Sequence, residues 1–158
     1  ALKEFRPLAE QGDAGAQYAL GQMYRKGEGV IQDYKEAVKW YRLAAEQGGA
    51  EAQYNLGWMY DNGYGVIEDD KEAVKWYLLA AEQGSAEAQT SLGVMYVLGT
   101  GVIENKVLAH MWWNIAASQG DEDAKEYKDI IVKEMTASQI EEAQDLARQC
   151  QRNNYKGC

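Results

Sequence analysis

Positive charge and long apolar runs are both scarce in this chain of 158 residues, and each scarcity excludes a class of partner. Asp and Glu number 25 against 16 Lys and Arg, which gives a formal net charge of −9. Nucleic-acid binding and docking on an anionic membrane surface both need a basic face, so neither is predicted. No apolar run approaches the ~20 residues that a membrane-spanning helix requires, so membrane insertion is not predicted either.

Cysteine and histidine are almost absent as well, which limits metal and redox chemistry. The chain has two cysteines, Cys150 and Cys158, and one histidine, His110. A structural zinc site needs four ligands, so we predict no metal and no cofactor. The cysteines allow two interpretations: a disulfide across a short loop, in which Gly157 lets the chain turn back, or two free thiols. A disulfide would indicate a periplasmic or secreted protein, whereas free thiols would indicate the cytoplasm.

Signals of catalysis are also missing. No serine or cysteine nucleophile has a credible base nearby in the sequence, and His110 occupies the repeat position of Val38 and Val74, which predicts a packed side chain. Gly-x-Gly pairs such as Gly63 and Gly65 follow predicted helices and recur in every repeat, so they indicate turns rather than phosphate-binding loops. We therefore predict no catalytic residue.

What the chain has in abundance is repetition. A Gln-Gly pair recurs every 36 residues, at Gln11-Gly12, Gln47-Gly48, Gln83-Gly84 and Gln119-Gly120. Between these pairs the same motifs return in the same order, with variations in the third copy: Ala-x-Ala-Gln, Leu-Gly-x-Met-Tyr, Gly-x-Gly-Val-Ile and Ala-Val-Lys-Trp-Tyr. A fixed period of this length is typical of a solenoid, in which each repeat packs on its neighbours and the stack offers one long surface.

Each repeat has the pattern of two helices. In the second repeat, apolar residues from Ala52 to Tyr60 recur at helical spacing, Gly63 ends that helix, and Asp69 is suited to cap the next one. The same register predicts first helices (helix A) at 14–26, 50–62 and 86–98, and second helices (helix B) at 34–47, 70–83 and 106–119. The predicted fold is therefore all-α, a solenoid of antiparallel helix pairs.

The ends of the predicted single domain, residues 1–158, differ from its middle. Residues 1–11 match the end of a helix B, full repeats occupy 12–47, 48–83 and 84–119, and 120–158 form a degenerate repeat and a C-terminal cap. The partial first helix carries Phe5 and Leu8 on an apolar side that lacks its usual neighbour, so we predict self-association through it. Thr136 and Gln139 have the spacing of a capping box that opens the last helix.

These motifs resemble the Sel-one-like repeat, a relative of the tetratricopeptide repeat. The resemblance covers the chain from Leu2 to Gly120 and implies a right-handed α/α superhelix that acts as an adaptor or scaffold for proteins and peptides. The tail from Ala147 to Cys158 resembles the ending of bacterial exported members, which implies the periplasm or secretion. The motifs that carry the resemblance are Ala52-Gln53-x-x-Leu56-Gly57-x-Met59-Tyr60, Gly63-x-Gly65-Val66 and Ala73-x-x-Trp76-Tyr77-x-x-Ala80-Ala81, with their counterparts in the other repeats.

Comparison of the repeats with one another locates a candidate binding surface. In helix A the packing positions stay fixed, whereas positions that share the opposite helix face vary from copy to copy. That face is predicted to be exposed, yet it carries the apolar residues Trp58, Val94, Val97 and Leu98, which favours binding over mere solvation. The predicted partner-binding residues are Gln22, Arg25, Lys26, Asn55, Trp58, Asp61, Asn62, Ser91, Val94 and Leu98.

The predicted function is that of an interaction scaffold that binds a protein or an extended peptide along the concave groove lined by helix A, with Trp58 as the strongest anchor. Helix B, with charges such as Lys39 and Lys75, is predicted to be a solvated outer face. Two alternatives remain: a passive structural or consensus repeat without a natural ligand, and a hydrolase acting on cell-wall or β-lactam-like substrates.

Overall fold

The computed structural model describes all residues from 1 to 158 and contains helices, turns and loops but no strand, so the all-α prediction is confirmed. The α-helices are α1 (Leu2–Glu10), α2 (Ala14–Lys26), α3 (Tyr34–Glu46), α4 (Ala50–Asn62), α5 (Asp70–Ala81), α6 (Ala86–Leu98), α7 (Lys106–Ser118), α8 (Glu122–Ile131) and α9 (Ala137–Arg152), and a 3₁₀ turn occupies Val132–Glu134. Helices α2, α4 and α6 have the bounds predicted for helix A. Helices α3, α5 and α7 end one or two residues before the predicted ends of helix B.

Side-chain caps and glycines set the ends of the helices. At the start of α2, Asp13 accepts a hydrogen bond from the backbone N–H of Ala16 at 2.7 Å. At the end of α4, Gly63 adopts a φ of 66°, a left-handed conformation that a β-carbon disfavours. Because these signals act within a few residues, the sequence spacing was sufficient to locate the helix ends to within one or two residues.

The chain divides into two compact units, Ala1–Trp76 and Tyr77–Cys158. In the first unit, Leu20 of α2 and Trp40 of α3 share a buried cluster with a residue of α1. Tyr41 of α3 and Leu56 of α4 share a second cluster. The residues that stay fixed between repeats are therefore the ones that form the core.

The N-terminal helix is partly covered by its own unit. Phe5 is half-buried and packs against the cluster that contains Leu20. Leu8 remains 48% exposed. Phe5 therefore has a neighbour within the chain, and self-association through this helix stays a prediction.

The glycines in the middle of helix A are required by aromatic rings. The sequence predicts that the backbone of an adjacent helix approaches Gly21, Gly57 and Gly93 closely. Instead, a β-carbon at Gly21 would lie 2.5 Å from the Cδ1 atom of Tyr41, and a β-carbon at Gly93 would overlap the indole of Trp113. The expected backbone approach is therefore wrong at Gly21 and Gly93, because a side chain of helix B occupies the space, and it stays a prediction at Gly57.

Buried glutamines explain two of the motifs that recur. Gln17 of α2 donates from Nε2 to the carbonyl oxygen of Ala9 near the end of α1, at 3.1 Å. Gln47, from the Gln-Gly turn, donates to Oε1 of Gln17 at 2.8 Å. In the second unit, Gln89 and Gln119 make the equivalent pair. The glutamine of each Ala-x-Ala-Gln motif thus donates a second hydrogen bond to a carbonyl at the end of the preceding helix, which also accepts from the backbone N–H of the glycine in the Gln-Gly pair.

In the second unit, α7 is the most buried helix and packs against α6, α8 and α9. Trp113 of α7 donates from Nε1 to the carbonyl oxygen of Thr90 at 3.0 Å. His110 is also buried, as its repeat position predicts, and its Nδ1 atom has no hydrogen-bond partner. Burial is the main reason why the pKa of His110 is lowered, and Lys128 adds to the effect while Asp129 opposes it.

The C-terminal tail is held back on the second unit. Thr136 and Gln139 form the predicted capping box at the start of α9. Cys150 and Cys158 are joined in a disulfide, with their Cα atoms 5.5 Å apart. The sequence predicts that this bridge holds Tyr155 against the cap helices, but the Tyr155 ring lies over the turn between α5 and α6, at the glycine of the third Gln-Gly pair. Sequence could not locate this contact, because that turn lies far from the tail along the chain.

Candidate protein-interaction surface

The structure places all ten predicted contact residues at or near the surface. In the first unit they lie on α2 and α4, and in the second unit they lie on α6. Exposed residues are Lys26, Asn62 and Leu98. Half-buried residues are Gln22, Arg25, Asn55, Trp58, Asp61, Ser91 and Val94.

The apolar residues of this face are more covered than the sequence suggests. Trp58 is half-buried and packs in part against the cluster around Leu56. Val94 and Val97 pack in part against the cluster around Trp113. The expectation that these three side chains are freely exposed is therefore wrong, because residues beside the packing stripe of a helix also reach its neighbours. Leu98, by contrast, is 65% exposed.

A guanidinium group orders the surface of the first unit. The Arg25 side chain lies over the Trp58 ring, with the guanidinium carbon 5.8 Å from the ring centroid. Its Nε donates to the hydroxyl of Tyr41 at 3.2 Å, and its Nη2 donates to Oε1 of Gln22 at 2.9 Å. Gln22 in turn donates to the hydroxyl of Tyr18 at 2.6 Å. These contacts bring together the predicted residues Gln22, Arg25 and Trp58, which come from two different repeats.

Two tyrosines outside helix A extend this arrangement into a row of rings. The ring centroids of Trp58 and Tyr64 are 5.1 Å apart, and those of Tyr64 and Tyr34 are 5.0 Å apart. Sequence reasoning missed both tyrosines because it examined only helix A. Their repeat positions also vary, with Glu28 in place of Tyr64 and Asp70 in place of Tyr34. The same criterion applied to the loops would therefore have found them.

A glycine allows the loop that carries Tyr64 to reach the start of α3. Gly65 has a φ of 72°, and a β-carbon there would overlap the carbonyl oxygen of Tyr34. The absence of a side chain at Gly65 thus lets the loop rest directly on the backbone of α3. The consequence is that the Tyr64 ring meets the Tyr34 ring while Tyr64 itself stays 38% exposed.

The two asparagines beside Trp58 leave acceptors free. Asn55 donates from Nδ2 to the carbonyl oxygen of Glu51 at 2.7 Å, and Asn62 donates to the carbonyl oxygen of Trp58 at 2.9 Å. Each side-chain amide thus uses an N–H group to form a hydrogen bond with a carbonyl of its own helix. The Oδ1 atoms are left to accept hydrogen bonds from a ligand.

The electrostatic state of this surface follows from burial. Burial raises the pKa of the Tyr41 hydroxyl to about 12, although the hydrogen bond from Arg25 and its positive charge oppose that rise. Tyr41 is therefore neutral at physiological pH and does not neutralise the guanidinium. Arg25 also forms no ion pair with a carboxylate of this chain. The surface consequently presents an ordered cation beside a row of aromatic rings.

The remaining surfaces offer less for recognition. Lys39 and Lys75 of helix B are exposed and form weak ion pairs with glutamates of their own helices at 3.6 and 3.8 Å. No group of three or more His, Cys, Asp or Glu side chains is placed to hold a metal ion. No helix has both the length and the apolar character needed to cross a membrane.

Helix pairs repeated every 36 residues define a helical repeat protein of the solenoid class. The chain belongs to the Sel1 repeat family, because the Sel1 repeat model matches residues 14–49, 50–85 and 86–121. Proteins with Sel1 repeats generally serve as protein-interaction scaffolds. The first match begins two residues after the first repeat boundary chosen from the Gln-Gly pairs.

Solved structures resemble this chain in sequence and in fold. A Sel1 repeat protein from Oxalobacter formigenes is 42% identical, with a TM-score of 0.74, over 81% of this chain and 96% of that chain. A protective antigen present in uropathogenic Escherichia coli strains, which displays an SLR fold, is 50% identical with a TM-score of 0.75. That match covers 76% of this chain but only 26% of the antigen.

A more distant structure, the cysteine rich protein B of Helicobacter pylori, shares the fold at 21% identity. Its TM-score is 0.63, over 79% of this chain and 95% of that chain. A comparison with curated proteins gave no match.

Proposed function

We propose that this chain is a protein-interaction module that binds an extended peptide segment of a partner on the helix A face of α2 and α4, centred on Trp58. The observation that carries the proposal is the ordered set formed by Arg25, Trp58, Tyr64 and Tyr34. Trp, Tyr and Arg are the residues most enriched among the hot spots of protein interfaces. Here they occur together, prearranged and accessible from solvent.

The polar residues around this set suit an extended backbone. The free Oδ1 atoms of Asn55 and Asn62 accept hydrogen bonds from peptide N–H groups, while Lys26 and Asp61 border the same face. In the second unit, taken by itself, the equivalent face of α6 carries Ser91, Val94 and Leu98, which we also propose as partner-binding residues. Rigid aromatic side chains lose little entropy on binding, so Trp58 provides most of the affinity.

A passive spacer is the principal alternative, and the half-buried Arg25 argues against it. A spacer has no need for a fixed guanidinium without an ion-pair partner on its surface. A hydrolase would need a nucleophile and a base in hydrogen-bonding reach, whereas this surface offers amides, rings and a guanidinium. We therefore propose a non-enzymatic scaffold. The disulfide between Cys150 and Cys158 supports a location in the periplasm or outside the cell.

The test compares Trp58→Ala with a matched change on helix B, Lys39→Ala. Partners captured from a native extract by the unaltered chain are identified, and their dissociation constants are then measured against each variant by calorimetry. Trp58→Ala is expected to weaken binding by about 2 kcal/mol or more, which is the loss typical of a hot spot. Lys39→Ala is expected to change it very little. If Lys39→Ala proves the more damaging variant, the partner binds on the helix B side and the proposal fails.

A further inference from the structure

Arg25 carries a positive charge that forms no ion pair within the chain. Its side chain is half-buried and held by hydrogen bonds to Tyr41 and Gln22. Both partners are uncharged. A guanidinium has five N–H groups, and the other three make no hydrogen bond within the protein. An ordered cation with unused donors is a site prepared for an anion.

The geometry of the bound guanidinium specifies which kind of anion fits. Nε and Nη2 donate to Tyr41 and Gln22, whereas Nη1 makes no hydrogen bond within the protein. Nη1 therefore keeps both of its N–H groups and Nη2 keeps one. Two N–H groups of a planar guanidinium can pair with the two oxygens of a carboxylate, which gives a bidentate ion pair.

The surroundings of Arg25 limit the number and position of carboxylates. The chain has a net charge of −9, and Glu51 and Asp61 flank Trp58 on α4. A run of acidic residues would therefore be repelled, whereas a single carboxylate on Arg25 is favoured. Trp58 and Tyr64 lie directly beside that position, so the residue next to the carboxylate meets a flat aromatic surface.

We propose that the partner segment carries one Asp or Glu side chain, which pairs with Arg25, followed or preceded by an aromatic residue or a proline that packs on Trp58 and Tyr64. This inference rests on the proposed function and specifies its ligand.

The experiment uses random dodecapeptides displayed on phage and selected against the whole chain. Enriched peptides are synthesised, and their affinities are measured by fluorescence polarisation against the unaltered chain and against Arg25→Gln, Arg25→Lys, Trp58→Ala and Lys39→Ala. Each peptide is also made with its acidic residue changed to the amide. Circular dichroism and thermal melting establish that each variant is folded. Arg25→Lys keeps the positive charge but lacks the planar guanidinium that can pair with both carboxylate oxygens. It replaces Arg25→Gln in the comparison if that variant does not fold.

We expect the enriched peptides to share one acidic residue beside an aromatic residue or a proline. Changing the acid to its amide should weaken binding to the unaltered chain at least tenfold, but should weaken binding to Arg25→Gln by less than twofold. Arg25→Lys should give an intermediate loss, and Lys39→Ala should give none.

The inference and the proposed function fail in different ways. If binding of the enriched peptides requires Trp58 but the peptides lack a carboxylate, the inference is wrong and the proposed function stands. The same holds if changing the acid to its amide weakens binding equally for the unaltered chain and for Arg25→Gln. If no peptide is enriched, the inference is wrong as well. If neither Trp58→Ala nor Arg25→Gln weakens the enriched peptides, both are wrong.

Discussion

At the scale of single residues, the Tyr41 ring determines whether Gly21 can be replaced by a larger residue. Glycine inside a helix costs about 1 kcal/mol relative to alanine, so Gly21→Ala would stabilise α2 if space allowed. The Tyr41 ring occupies that space, and overpacking a core commonly costs about 1–3 kcal/mol. We therefore expect Gly21→Ala to lower the free energy of unfolding by roughly 1 kcal/mol or more, measured by urea denaturation.

Gly15 in the same helix provides the control for this prediction. Gly15 is exposed, and the equivalent positions hold Glu51 and Glu87. Gly15→Ala should therefore leave stability unchanged or raise it slightly. A higher melting temperature for Gly21→Ala would show that the ring moves aside and that steric crowding does not explain the glycine.

His110 is expected to make stability depend on pH. Its pKa is lowered in the folded chain, chiefly by burial, whereas the unfolded chain keeps a value of about 6.5. The unfolded state thus binds the proton at a higher pH than the folded state does. As a result, the stability contributed by the neutral imidazole is complete well above about pH 6.5 and is lost as the pH falls below it.

A valine substitution isolates this effect, because Val38 and Val74 occupy the equivalent positions. His110→Val should lose less stability than the unaltered chain between about pH 7.5 and about pH 5.5, measured by urea denaturation at each pH. Equal losses in the two proteins would mean that carboxylates or other groups, and not His110, control stability in this range.

At the scale of helices, the buried glutamines link successive elements. Gln89 is fully buried, donates to the last residue of α5 and accepts from Gln119 at 2.7 Å. Gln89→Met keeps the volume but removes both hydrogen bonds, while the Ala81 carbonyl still accepts from Gly84 and the exposed Gln119 amide can turn to water. Each lost hydrogen bond is worth about 0.5–1.5 kcal/mol, so we expect a loss of about 1–3 kcal/mol in the free energy of unfolding.

A double-mutant cycle separates the hydrogen bond from packing. Gln119→Ala removes the partner, so its effect should be smaller in the Gln89→Met background than in the unaltered chain. Additive losses would show that the two side chains act independently and that the repeated pair does not work as one unit.

At the scale of the whole molecule, the disulfide holds the tail in place and connects stability with location. It closes the loop from Cys150 to Cys158, Tyr155 lies over Gly84, and the N–H of Gly157 lies 3.3 Å from a carboxylate oxygen of Glu82. Closing a loop of this length is worth about 2–3 kcal/mol. Replacing both cysteines by alanine should lower stability by about that amount.

Hydrogen exchange of backbone amides measures how far the disulfide stabilises the tail and the turn beneath it. Backbone amides of the tail and of the turn at Gly84 should exchange faster in the variant without cysteines, because Tyr155 and Gly157 are then free to leave. Unchanged exchange at the turn would show that the tail contacts hold without the disulfide. Alkylation of the unfolded, non-reduced protein reports directly whether the bridge forms in the native compartment.

The comparisons show that such an array occurs in chains of different length. The match spans 96% of the Oxalobacter protein but only 26% of the Escherichia coli antigen. A surface built on α2 and α4 uses residues of neighbouring repeats alone, so it does not depend on the number of repeats elsewhere. This locality is what we expect of a repeat fold, in which each unit contacts only its neighbours.

The sequence by itself determined the helices and, to within one or two residues, their ends. Caps such as Asp13, stops such as Gly63 and the 36-residue period all act through short stretches of chain, so spacing alone locates them. Variation among the repeats also separated core positions from surface positions. A residue that packs into the same space in each repeat stays the same from copy to copy. Leu20 and Leu56 are such residues, and both are fully buried.

Only the tertiary structure decided how surface residues from different elements come together. The row formed by Trp58, Tyr64 and Tyr34 depends on a loop resting on the start of α3, and the ring of Tyr41 against Gly21 depends on how α3 packs on α2. The spacing of residues along the chain does not predict these contacts, because they join residues from different elements and depend on how those elements pack. The recognition that we propose at Arg25 depends on such contacts, which hold the guanidinium and leave Nη1 without a hydrogen bond inside the protein.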